Sequence, residues 1–213
     1  LLGQSEGEGW EIHVGDLDLA AAQAKIQGHP NGHAFQMTSS DVKDRDARIA
    51  SADLVISMLP AFMHPEVASV AIEAGVHVLT PSYVSDDMQA LDARAKEKGV
   101  LVLNEMGLDP GIDHMSAMQV IDEIREAGGT MVSFASYCGG LVAPASDDNP
   151  WHYKLSWNPR NVVLAGQGGA ATFLDRGRVR MVPPHKTFQA LTPVEGGGRR
   201  YDGYPNRDSL GYQ

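Results

Sequence analysis

The sequence predicts an α/β protein. A doubly wound parallel sheet comes first, and an α+β, mostly antiparallel domain follows it. Three observations carry this. Up to Leu103, short β-type segments alternate with helical ones. One of them, Leu54-Val-Ile-Ser-Met-Leu59, is almost continuously apolar, as expected of a strand buried on both faces of a parallel sheet. Beyond Gly128-Gly129 the alternation gives way to runs that look like hairpins.

Trp10 to Val14 alternates apolar and polar residues and runs into Gly15-Asp16, which fits a strand ending on an acid. Leu19 to Lys25 is Ala-rich and helical and stops before Gly28-His-Pro30; Ala34 to Met37 reads as the second strand. After the Leu54–Leu59 run, Pro60 ends the strand, a helix spans Pro65 to Ala74, and Gly75 stands where a C-cap glycine belongs. Val76 to Leu79 is the fourth strand. Ser85 caps a helix with Asp86 and Asp87 in its first turn, Lys96 and Lys98 in its last and Gly99 at its end, all matched to the helix dipole. Val100 to Leu103 is the fifth strand. The polypeptide then turns through two glycines into a helical pattern with Met115, Met118, Ile121 and Ile124 on one face. Asp109-Pro110 reads as its start, Asp as N-cap and Pro at the first helical position. These signals divide the sequence into a nucleotide-type domain over 1–110 and a second domain over 111–213. In the second domain, Met131 to Tyr137 is expected to be a strand. Ala171–Leu174 and Arg178–Val182 form an expected hairpin around a three-residue Asp175-Arg-Gly177 loop. Phe188–Thr192 and Arg199–Tyr204 are candidate further strands.

Bulk composition narrows the function. The 213 residues are 43% hydrophobic and 21% charged, as in a globular protein. The net charge of −10 opposes binding to nucleic acid or to an anionic membrane, both of which need a basic face. No apolar run approaches the roughly 20 residues that span a bilayer. Cys138 is the sole cysteine, so a reducing compartment, and hence a cytoplasmic location, is expected. The sequence begins Leu-Leu-Gly-Gln without Met and stops at Ser209-Leu-Gly-Tyr-Gln213, so a piece of a longer protein is expected.

Several motifs bear on chemistry. An acid at the end of a parallel strand, Asp16, suits the ribose hydroxyls of a dinucleotide and repels a 2′-phosphate. The glycine fingerprint that should accompany it would lie before Leu1; without it, Asp16 and Asp18 read as solvated strand-end acids. Gly166-Gln-Gly-Gly-Ala-Ala171 matches a fingerprint in letters, but hairpin-like runs follow it rather than a long helix. Trp151 to Arg160, aromatic and basic, reads either as a pocket wall or as a packed loop. The eight histidines form no metal constellation: His29 and His33 lie in a turn, with no Cys or carboxylate at ligand spacing. Cys138 reads as a pocket-wall or buried thiol rather than a nucleophile, and His114 as a hydrogen-bonded wall or a proton carrier.

The segment Asn104-Glu-Met-Gly-Leu-Asp-Pro-Gly-Ile-Asp-His114 resembles the saccharopine dehydrogenases, the glutamate-forming group. So, in family order, do Leu54–Pro60, Pro81–Ser85, Ser136–Leu141, Asp148–Pro150, Lys154–Trp157 and Tyr204–Ser209. The resemblance implies a Rossmann-like cofactor domain, a substrate domain with which dimerisation is expected, and hydride transfer between saccharopine and NAD, with NADP as the alternative. Oxidation at the secondary amine followed by hydrolysis gives glutamate and 2-aminoadipate semialdehyde, a step of lysine metabolism. It also implies roles. Asp16 would hold the adenosine ribose, with Asp41 and Val42 near the adenine. Leu59, Ser82, Leu108, Asp109 and Pro110 would line the nicotinamide side. Ser82, Tyr83, Asp109 and Arg207 would meet saccharopine, Arg207 through its bidentate fork. Asp109 and Tyr83 are the candidates for acid–base work. Asp16 and Asp18 replace the hydroxyl-and-arginine pattern of many fungal members, which points to NAD; Pro81 stands where a hydroxyl residue is common. A non-catalytic relative, or a related dehydrogenase acting on another amino acid, keeps the same fold and stays open.

Overall fold

The computed structural model describes residues 1–38, 41–155, 160 and 169–210. The polypeptide forms two compact units, Leu1–Ile112 and Asp113–Gln213.

In the first unit, helix α1 (Leu2–Glu8) precedes strand β1 (Ile12–Asp16), helix α2 (Leu19–Ile26) and strand β2 (Gly32–Gln36). Helix α3 (Val42–Ala50), β3 (Leu54–Ile56), α4 (His64–Ala74) and β4 (His77–Leu79) follow. Then come α5 (Asp86–Gln89), α6 (Asp92–Lys98) and β5 (Val102–Leu103). All strand pairs here are parallel. β1 pairs with β2, and β3, β4 and β5 form a second sheet in that order. Local signals place the helix ends. Asp18 accepts from the Ala20 amide, Asp41 from Asp44 and Ser85 from Met88, while Gly75 and Gly99 close α4 and α6 in the left-handed conformation.

The core lies between β3–β5 and helices α3 to α6. Ile49, Val67, Ala68, Ala71, Val76, Val78 and Met88 are buried together, with Val55, Leu59 and Val102 packed against them. Ile72, Ala95 and Val100 form a second buried group. Ala68 and Ala71 are completely buried, so α4 approaches the sheet at positions with minimal side chains. Arg45, also buried, bridges α3 to α4 by donating to Glu66 at 2.8 Å while it also pairs with Asp46. Burial of the guanidinium is offset by these two carboxylates, which hold its pKa above the ordinary value.

Two expectations for this half are corrected. The Leu54–Leu59 run is strand only over Leu54–Ile56, and it is covered on one face, not both. Val55 points into the core, while Leu54 and Ile56 remain 45% and 43% exposed. By register, Ile56, Leu79 and Leu103 share that outer face. The helix expected from Ser85 to Lys98 is split at Ala90-Leu91, where the Leu91 amide bonds to Met88, three residues back, instead of four.

The second unit takes over within helix α7 (Ile112–Glu126) and contains two antiparallel hairpins. β6 (Ala171–Asp175) pairs with β7 (Arg178–Val182), and β8 (Thr192–Gly196) pairs with β9 (Arg199–Gly203). The first loop has two residues rather than the expected three, and the second also has two. Arg176-Gly177 and Gly197-Gly198 all have positive φ, the geometry that matches strand twist in two-residue turns. Four further readings are corrected. Met131–Tyr137 is irregular rather than strand, and Val132 is 95% exposed. Phe188 closes a 3₁₀ turn, Pro184–Gln189, which Pro183-Pro184 opens, and the strand starts later, at Thr192. On α7, Ile121 is buried while Met115 and Met118 are exposed. Cys138 is exposed rather than buried. The fingerprint-like Gly166–Gly168 and Trp157 lie outside the described residues. No helix is long and apolar enough to cross a membrane among the described residues.

Candidate active site

Polar side chains gather where β3, β4 and β5 end. Extended backbone continues the ladder past each strand: the Ser57 amide bonds to Leu79, Thr80 to Leu103, and Met106 to Thr80. This brings Ser57, Thr80, Ser82, Asn104 and Glu105 side by side. Helix α4 adds His64 from its first turn. Its ring is 2% exposed and lies between two serine hydroxyls, with Nδ1 2.8 Å from Ser57 Oγ and Nε2 2.9 Å from Ser82 Oγ. Burial lowers the pKa of His64, so the ring is neutral near pH 7. A neutral imidazole carries one N–H and one acceptor nitrogen. One serine therefore receives a proton from the ring and the other donates one to it. Through that choice His64 fixes whether the Ser82 hydroxyl offers its lone pairs or its hydrogen to anything placed against it. Ser82 is further tied down through its backbone, its amide donating to Thr80 Oγ1 and its carbonyl accepting from Glu105.

Beside this row, the loop between β5 and α7 folds back on itself. Gly107 donates to the Pro110 carbonyl at 2.9 Å, and Ile112 donates to Gly107 at 3.0 Å. Both glycines are required. A Cβ on Gly107 would sit 2.9 Å from the Pro81 carbonyl, and one on Gly111, whose φ is +145°, would sit 2.3 Å from the Gly107 carbonyl. The Asp109-Pro110 peptide is cis. The Asp109 carboxylate accepts from the Tyr83 hydroxyl at 2.8 Å. This corrects the N-cap reading: the helix opens at Ile112, two residues beyond Pro110, and Asp109 turns to Tyr83 instead.

Sequence and fold comparisons agree on what this scaffold is. Residues 1–103 match the saccharopine dehydrogenase NADP binding domain, and residues 107–213 match the saccharopine dehydrogenase C-terminal domain. The chain belongs to the saccharopine dehydrogenase family. It is 40% identical over 205 residues to the saccharopine dehydrogenase (NADP(+), L-glutamate-forming) of Pyricularia oryzae, covering 96% of this chain and 46% of that protein. It is 36% identical over 210 residues to the mitochondrial alpha-aminoadipic semialdehyde synthase of Rattus norvegicus, covering 98% of this chain and 23% of that protein. The solved apo saccharopine dehydrogenase (L-Glu forming) of Saccharomyces cerevisiae superposes with a TM-score of 0.81 at 38% identity, over 95% of this chain and 45% of that one. The chain thus spans about half the length of its fungal relatives, or less.

Within this saccharopine dehydrogenase scaffold the residues expected at the site are distributed as follows. Ser82, Tyr83 and Asp109 lie together at the carboxyl ends of β4 and β5, Ser82 through His64 and Tyr83 through Asp109. Leu108 is 68% exposed next to Asp109, Pro110 is buried, and Leu59 packs half-buried against the core. Asp16 ends β1, exposed, and one of its oxygens accepts from the Asp18 amide. Asp41 caps α3 and Val42 is the first residue of that helix, both exposed. Arg207 belongs to the second unit, where its carbonyl accepts from the Thr172 amide. In that unit His114 Nδ1 sits 2.9 Å from the Asp113 carboxylate, as a hydrogen-bonded histidine does.

Two features were not read from the sequence. His64 belongs to no sequence motif; its cue is its place in the first turn of a helix that follows a parallel strand. The second is Glu11, His13 and His33. Parallel register sets His13 directly opposite His33, and Glu11 precedes His13 by two, on the same face. Alternation along Glu11-Ile-His13 was the available signal.

Proposed function

We propose that this polypeptide forms part of a saccharopine dehydrogenase of the L-glutamate-forming type, an oxidoreductase of lysine metabolism that moves hydride between saccharopine and a nicotinamide dinucleotide. The observation that supports this most is the Tyr83–Asp109 hydrogen bond beside Ser82, in a family member whose own domains match along nearly its full length. The dinucleotide supplies the hydride acceptor. The protein's residues do the rest. Asp16 accepts from ribose hydroxyls at the end of β1. Ser82, held by His64, offers one hydrogen-bonding group of set polarity. Tyr83 and Asp109 orient the substrate amine and hold a proton between phenol oxygen and carboxylate, which suits oxidation of an amine and activation of water. Arg207 takes a substrate carboxylate.

On the choice of dinucleotide, two observations differ. The fungal relatives' names state NADP(+), which favours NADP. Asp16 is an acid at the end of a parallel strand, and a carboxylate beside the ribose would repel a 2′-phosphate, which supports NAD. The single cysteine supports a reducing compartment such as the cytoplasm.

The test uses the full-length protein that contains this sequence, following NADH or NADPH absorbance with saccharopine. Turnover that falls at least tenfold in Tyr83→Phe and in Asp109→Asn, with folding retained, is the expected result. A folded protein that turns over saccharopine with neither dinucleotide sinks the assignment. A higher kcat/KM with NADP than with NAD removes the reading of Asp16.

A further inference from the structure

We propose that Glu11, His13 and His33 form a binding site for a divalent transition-metal ion of the zinc or nickel kind, at the opposite end of β1 from Asp16. The three potential ligand atoms lie within 4.8 Å of one another. Two rigid strands present them. His13 and His33 are register partners on β1 and β2, their rings 4.8 Å apart between centroids and tilted by 36°. Glu11 sits on the same face, and its carboxylate is already hydrogen-bonded to His33 Nε2.

Imidazole nitrogens with one carboxylate are a ligand set that zinc accepts, and catalytic zinc sites use two histidines and a glutamate with a water in the fourth place. Bond lengths of about 2.0–2.2 Å put the donors of a tetrahedral ion roughly 3.3–3.6 Å apart. Closing from 4.8 Å to that spacing needs side-chain rotation only. All three residues are exposed, so neither rotation nor entry of the ion is hindered, and water can complete the shell. On binding, the ion takes the place of the Glu11–His33 hydrogen bond, with each imidazole offering the ring nitrogen that carries a lone pair. An ion pair explains Glu11 with His33 but leaves out His13, whose tilted ring lies against that of His33. The ion accounts for all three. Asp16 is three residues along the strand, about 10 Å away, so the site is separate from the proposed cofactor position.

Isothermal titration of zinc and nickel chloride into the full chain, in a non-chelating buffer near pH 7.5, tests this. One ion is expected per chain. The dissociation constant should rise at least tenfold in each of His13→Asn, His33→Asn and Glu11→Gln, with the circular dichroism spectrum unchanged. His29→Asn, in the neighbouring turn, should leave it unaltered. No uptake at millimolar metal, or uptake undiminished in the His13 and His33 variants, overturns the proposal.

Discussion

Replacing His64 by Phe tests whether the Ser57–His64–Ser82 row is a coupled unit. The substitution keeps a flat ring in the buried site but removes both ring nitrogens. Ser57, only 4% exposed, then keeps a hydroxyl without its 2.8 Å partner, whereas the less buried Ser82 can turn its hydroxyl towards water. Stranding one buried hydroxyl costs about 1–3 kcal/mol, against about 1 kcal/mol for losing an ordinary hydrogen bond when both partners go. His64→Phe is therefore expected to destabilise the first unit by about 2–4 kcal/mol with the second bond included. Adding Ser57→Ala should restore about 1–3 kcal/mol, because no stranded group remains. Urea unfolding followed by circular dichroism, read by linear extrapolation, gives the four corners of the cycle. Effects that add to within about 0.5 kcal/mol would refute the coupling. The pH dependence supplies a second reading. Burial holds the folded pKa of His64 below its ordinary 6.5, so the unfolded chain binds the extra proton first. Stability contributed by the neutral ring is complete above pH 6.5 and declines as the pH falls from there towards the folded value. His64→Phe should flatten that part of the profile.

Two other expectations concern the loop and the second unit. Gly111→Ala should destabilise the first unit by about 2–4 kcal/mol, since its φ of +145° and the Gly107 carbonyl at 2.3 Å leave no room for a methyl; thermal unfolding within about 1 °C of the parent would show that the loop yields. Asp147 accepts from His152 Nδ1 at 2.9 Å and from Arg199 at 3.0 Å, and its pKa is lowered, chiefly by the His152 bond. Its stabilisation is present above the ordinary carboxylate value of 3.8 and is lost as pH falls through the folded value. Asp147→Asn should lower stability at pH 7 and give a shallower acid limb, and an unchanged acid limb would contradict this.

What could be read in advance was what depends on neighbours in sequence. Ser85, Gly75 and Gly99 each act within one helical turn, and each stands where the local pattern placed it. The turn Arg176-Gly177 also fell in the expected hairpin, although with one residue fewer in its loop. What failed depended on partners far along the polypeptide. Leu54-Val-Ile has the composition of a strand covered on both faces, but composition does not say whether a helix lies on each face. Met131–Tyr137 has strand residues, but residue type alone does not supply the neighbouring strand that a ladder needs. His13 opposite His33 is a matter of register across twenty residues, which no window along one strand contains.

Asp109 shows how a correct local signal can serve a different end. Asp-Pro before an apolar helical run normally signals a cap, and its value lies in satisfying backbone amides that the first turn leaves open. Here the loop does part of that work itself. The Ile112 amide bonds to the Gly107 carbonyl, and Gly107 bonds to Pro110, a closure that two glycines allow by letting backbone approach backbone. With the helix opening at Ile112, the carboxylate is too far back to cap it and instead accepts from Tyr83. The glycines at 107 and 111 are thus the reason why the acid at 109 is left to Tyr83 rather than to the helix amides. A protein that lost either glycine should lose the Tyr83–Asp109 bond as well, with both side chains still present.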